Sequence, residues 1–133
     1  MELWRKVWRN GLVPQLSTNE LLALKHGLET DDPKLVQGIT TSPPAIDIFA
    51  TSQVEFCCGL TYSSWKGENK TTVAEADARY TQLCQNTDEL LGEPGVSRFF
   101  LNWFDETPRV EMRRQLLTEV VIALSNRKPA LAG

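Results

Sequence analysis

The sequence predicts an all-α fold, a compact single domain of about six short-to-medium helices over residues 1–127, on three observations. Ser17/Glu20, Ser52/Glu55 and Thr72/Glu75 each repeat the S/T-x-x-E spacing of a capping box. Apolar residues recur every three to four positions through most of the chain. Gly11 with Pro14, Gly38, Gly92 and Pro94-Gly95 fall where those stripes end.

The first helix is expected over Glu2 to Asn10. Leu3, Trp4, Val7 and Trp8 share one face, Arg5, Lys6 and Arg9 the other, and Gly11 followed by Pro14 should stop it. Ser17 caps a second helix in which Leu21, Leu24 and Leu28 form the buried stripe, with Leu16 stapled to Leu21. Asp32-Pro33 can restart a short helix that closes at Gly38. Residues 39–45, with consecutive prolines among hydroxyl residues, read as a loop. Over 46–65 the pattern fits two structures. Val54, Phe56, Cys58, Leu60 and Tyr62 alternate as a strand would, which allows a small β-hairpin within 46–62. Val54, Cys57, Cys58, Thr61 and Trp65 line up helically, and the helical neighbours favour that reading.

Thr72 starts the longest helix, with Val73, Ala76, Tyr80, Leu83, Cys84, Leu90 and Leu91 on its stripe and Gly92 at its end. Val96 to Phe104 resumes beyond Pro94-Gly95. Its Phe99, Phe100, Trp103 and Phe104 cover an arc wider than one-sided burial needs. Thr107-Pro108 opens the last helix, which carries Met112, Leu116, Leu117, Val120, Val121 and Leu124. The tail 128–133 is expected to fray.

Composition limits function. Hydrophobic residues make up 41% of the 133, enough for a core, and no apolar run approaches the roughly 20 residues a bilayer demands. With no transmembrane segment and no apolar leader at the N-terminus, a soluble, cytoplasmic protein is expected. The net charge of −3 repels phosphate backbones, so general nucleic-acid binding is disfavoured. A helix-turn-helix over 17–38 fails for the same reason, since its second helix would begin Asp31-Asp32. Three cysteines, two of them adjacent, do not suggest a disulfide framework.

Chemistry-bearing patterns are sparse. Cys57, Cys58, Cys84 and His26 could supply four zinc ligands, but no Cys-x2-4-Cys knuckle presents two thiolates together. No glycine-rich phosphate loop occurs, and the pairs Asp31/Asp32 and Asp105/Glu106 read as charges at helix starts. No metal, cofactor or catalytic residue is therefore assigned.

Four tryptophans are the compositional surplus, and Trp4, Trp8, Phe100, Trp103 and Phe104 are the interface candidates, with Arg98, Arg109 and Arg113 near them in sequence. The favoured reading is a non-enzymatic protein–protein interaction or regulatory module, bound to a protein partner or to a second copy as a homodimer. The alternative is a small-molecule or minor enzymatic site between helices, using His26, the 39–45 loop and a cysteine.

Overall fold

Ser17 accepts a hydrogen bond from the Glu20 backbone N–H, and the Glu20 carboxylate accepts one from Ser17 N–H, so the first capping box forms as the spacing predicts. The structure, a computed structural model, describes residues 1–38, 54 and 56–127. Within them six α-helices follow one another: α1 (Leu3–Val7), α2 (Thr18–Thr30), α3 (Gly59–Gly67), α4 (Val73–Leu91), α5 (Arg98–Glu106) and α6 (Arg109–Asn126). The all-α prediction holds. The Thr72/Glu75 box caps α4, which ends on Gly92 in the left-handed region at φ 67°.

Gly11 does not stop the first helix as expected. The chain widens into a π-helical turn over Trp8–Leu12, closed by Val13 N–H donating to Trp8 C=O, and then tightens into a 3-10 turn over Val13–Gln15. Pro14 has no N–H to offer a carbonyl four residues back, so the regular ladder cannot continue. Gly11 lies against Thr87 of α4, where a Cβ would stand 2.4 Å from Thr87 Cγ2, and only glycine allows that approach.

The short helix expected from Asp32 to Gly38 does not form. Asp32 Oδ1 instead accepts Lys34 N–H in a local turn, and Leu35 makes a parallel bridge with Cys57, Val36 N–H donating to Cys57 C=O and Cys57 N–H to Lys34 C=O. Gln37 donates to the carbonyls of Phe104 and Thr107, satisfying the end of α5. The segment's polar groups are spent on neighbouring elements rather than on its own ladder. Residues 39–53 and 55 lie outside the described ones, and with them the 39–45 loop, the Ser52/Glu55 box and most of the hairpin alternative; so does the 128–133 tail. The helix expected across 46–65 begins only at Gly59.

The helices are fixed along α2. Arg113 Nε donates to Leu28 C=O, and Arg109 donates to the Asp31 carboxylate and Asp32 C=O, tying the start of α6 to the end of α2. Arg127, just past α6, donates to Leu16 and Val13 carbonyls ahead of α2. α6 therefore runs antiparallel to α2. Asp31 stands at the end of α2 in the left-handed region, and Asp105 and Glu106 close α5, so neither acidic pair sits at the start of its helix. The core between these helices includes Leu12, Leu21, Leu24, Leu28, Leu83, Met112, Leu116 and Val120, all fully enclosed.

Candidate functional site

The aromatic candidates come together, but inward. Trp8 and Phe100 stack at 5.5 Å between centroids, Phe104 follows Phe100 at 6.2 Å, and Trp4 stacks on Trp103 at 3.6 Å and 5°. Trp4, Trp8, Phe100 and Phe104 are all buried in the chain's own core, and Trp103 alone of the five is half-exposed. A buried ring reaches a partner only if the core unpacks. The α1 face that reads as a docking surface in sequence is thus occupied by α5, with Arg5 laid over the outer side of Trp4, its guanidinium carbon 4.6 Å from the ring centroid. Arg109 and Arg113 serve the end of α2, as described.

Exposed apolar surface lies on α6. Val110 is 76% and Val121 41% exposed, while Leu117 and Leu124 are half-buried at the edge of the core. Val110, Arg114, Leu117, Val121 and Leu124 recur at alternating steps of four and three, the spacing of a coiled-coil seam. Met112, Leu116, Glu119, Val120 and Ala123 form the opposite, buried face. Arg114 in the seam is paired with Glu111 on its own helix. The other nearby carboxylate, Glu119, turns inward to Arg5 and Arg9 at 3.2 and 2.7 Å. The Arg9 hydrogen bond holds the Glu119 carboxyl below its ordinary range despite burial. The outward seam therefore carries little unbalanced charge.

A groove of about 540 Å³ separates α2 from α3 on another face. Asn19, Leu22, Ala23 and His26 line it from α2 at i, i+3, i+4 and i+7, opposite Tyr62 and Lys66. Two glycines let its walls close at the base. A Cβ on Gly27 would stand 2.5 Å from the Tyr62 ring, and one on Gly67 2.6 Å from Glu20 Cα. Tyr62 Oη donates to Asp32 Oδ2 at 2.7 Å. Burial, reinforced by that bond, pushes the phenol well above its usual range. Backbone donation from Lys34, then the Tyr62 hydroxyl, holds Asp32 below the usual carboxylate range, so it is ionised at neutral pH. Lys66 Nζ sits 4.0 Å from the Trp65 ring centroid. His26 thus lines a concavity, and among the described residues no cysteine lines it.

The thiols lie elsewhere. Cys57 and Cys58 are buried, and Cys84 is half-buried. Burial pushes Cys57 and Cys58 far upward, and Cys84 up to about 11. At neutral pH all three remain protonated, and a protonated thiol is a poor nucleophile. A smaller pocket of about 240 Å³, with Cys58, Tyr80, Phe100 and Phe104 in its walls, is mainly apolar.

Among the described residues no group of three or more His, Cys, Asp or Glu is placed to hold a metal ion, and no helix is long and apolar enough to cross a membrane. Sequence reasoning finds Glu20 as a capping residue but misses its burial, and that of Glu119, because a carboxylate's spacing gives no sign that arginines distant in sequence will enclose it. The α6 seam is hidden too, because in sequence Leu117, Val121 and Leu124 are indistinguishable from the core stripe. No family model, curated protein or solved structure matches the chain.

Proposed function

We propose that the chain is a non-enzymatic helical interaction module that pairs with a second copy of itself through the outer seam of α6. The observation that supports this reading is the four-three repeat of Val110, Leu117, Val121 and Leu124 on a helix whose opposite face is already buried. Helices apolar around most of their circumference are ordinarily enclosed, and this one lacks cover on one side among the described residues. A second α6 suits the seam because Arg114 is already balanced by Glu111, so two copies meeting there bring no unpaired like charges together. One polar position in an otherwise apolar seam also favours one register over slipped ones.

Sedimentation velocity of the full chain tests the proposal. A dimer is expected at about 100 μM, where an association of micromolar Kd is largely formed. A Val110→Glu/Val121→Glu variant should sediment as a monomer with unchanged far-ultraviolet dichroism, because both side chains are largely outside the core. A wild-type chain that stays monomeric at that concentration overturns the reading, as does a double variant that dimerises as well as wild type.

A further inference from the structure

We infer that the α2–α3 groove is a binding site for a small-molecule carboxylate with an apolar body. It is an open groove of about 540 Å³, large enough to hold a small ligand with one side left to solvent. The lining divides by chemistry. Leu22, 49% exposed, and Ala23 offer an apolar wall on α2, while Asn19, His26 and Lys66 offer polar side chains around it. Among the described residues none of these three side chains makes a hydrogen bond or an ion pair within the chain, so their donors are available to a ligand.

Among the described residues Asp32 is the one carboxylate in the lining, and both of its oxygens are engaged, Oδ1 by Lys34 N–H at 2.9 Å and Oδ2 by Tyr62 Oη at 2.7 Å. Those bonds fix its orientation but leave its charge, so a ligand carboxylate shares the Lys66 cation with it. The ammonium is held over Trp65, which limits where it points without neutralising it. Lys34 Nζ stands 5.8 Å from the same ring centroid, adding a second cation to this side of an acidic protein. Among the described residues the lining holds no arginine fork, and the Asp32 carboxylate repels a doubly charged group about twice as strongly as a singly charged one. A singly charged anion fits better than a phosphate dianion. The apolar wall then selects ligands whose carboxylate is attached to a hydrocarbon chain or ring.

Hexanoate is the probe, titrated into the ¹⁵N-labelled full chain and followed by amide chemical shifts, with hexan-1-ol and inorganic phosphate as comparators. Saturable shifts confined to 19–26 and 62–67 are expected, with hexan-1-ol at least about tenfold weaker because it lacks the charge. Lys66→Met should weaken hexanoate by about tenfold, and His26→Ala by a smaller factor, with the rest of the spectrum unmoved. That unmoved spectrum separates loss of binding from loss of fold. The proposal is overturned by no saturable shift at about 10 mM hexanoate, by equal binding of hexan-1-ol, by phosphate binding in the same place more tightly, or by a Lys66→Met variant that binds like wild type. Because the groove is on α2 and α3, these outcomes are independent of whether α6 pairs.

Discussion

Glu20 and Arg79, 59 residues apart in the chain, are joined by two hydrogen bonds inside the protein, Arg79 Nη2 donating to Oε1 at 2.8 Å and Nε to Oε2 at 3.1 Å. Ser17 N–H and the Ser64 hydroxyl complete the carboxylate's shell at 2.9 and 3.0 Å, so one fully buried side chain caps α2 and ties it to α3 and α4. A capping box on a surface helix contributes about 1 kcal/mol. Here the same glutamate is also half of an enclosed ion pair. Glu20→Ala is expected to cost about 3 kcal/mol or more, because it strands the Arg79 guanidinium as well as removing the cap. Urea unfolding checks this, and a loss under about 1 kcal/mol would show that the node is merely an N-cap.

Acid should weaken the fold through the same group. Burial alone would raise the Glu20 pKa, but the hydrogen bond from Arg79, then those from Ser17 and Ser64, carry it below the ordinary 4.5. Glu119 is lowered too, chiefly by Arg9. A carboxyl whose pKa falls on folding adds stability that is complete above its unfolded value and is lost as pH drops through the native one. The unfolding midpoint should therefore hold steady from neutrality to about pH 5 and fall below about 4.5. Glu20→Gln should be less stable at pH 7 and show a shallower decline with acid. Parallel pH profiles for variant and wild type would rule Glu20 out as a contributor.

The two capping boxes at Ser17 and Thr72, the Leu21/Leu24/Leu28 stripe and the glycine end of α4 were legible because each is a local rule, written within one or two turns. What escaped was decided by partners far away in sequence. Gly11 reads as a helix stop until Thr87 is seen against it, and Asp32-Pro33 reads as a helix start until Leu35 is seen paired with Cys57. The aromatic surplus shows the same limit: composition reveals that large rings need burial, but not that Trp4 and Trp8 pack against Trp103 and Phe100. His26 stands out in the sequence simply as the one histidine. Its neighbours in the groove, Tyr62 and Lys66, come from a helix about 40 residues on, and no spacing rule connects them.

Gly67→Ala should destabilise the protein more than an ordinary helix substitution, although alanine is the better helix former. The added Cβ would meet backbone atoms of Asn19 and Glu20 at 2.6 to 2.8 Å, and backbone cannot swing aside as a side-chain tip can. Forcing α3 away from α2 is expected to cost about 1–3 kcal/mol, measured by thermal or urea unfolding. Neutral or improved stability would mean that the two helices slide apart freely.

The thiols should be silent in the folded protein. Cys57 and Cys58 are buried, and with the Cys84 pKa pushed up to about 11 its thiolate is scarce at pH 8. Titration with a chromogenic disulfide reagent at pH 8 is expected to register little in buffer and three thiols once denaturant is added. Rapid stoichiometric labelling of one cysteine in the native state would reveal an activated nucleophile and revive the enzymatic alternative.

Tryptophan and valine variants should separate packing from association. Trp8 is fully buried against Phe100, and Trp4, 4% exposed, lies between Trp103 and Arg5. Truncating Trp8 to alanine removes that stacking and leaves a cavity among residues that are themselves held from several sides, at an expected cost of about 3–5 kcal/mol. Trp4→Ala should cost less, because the half-exposed Trp103 stacked on it can relax into the space. Neither should change sedimentation under conditions where the variant is still folded, since neither ring reaches the surface of α6. The Val110→Glu/Val121→Glu pair should do the reverse, leaving the monomer's intrinsic stability near wild type while abolishing association. A dimer lost on Trp4→Ala in a folded chain would return the interface to the α1 face, where the sequence first places it.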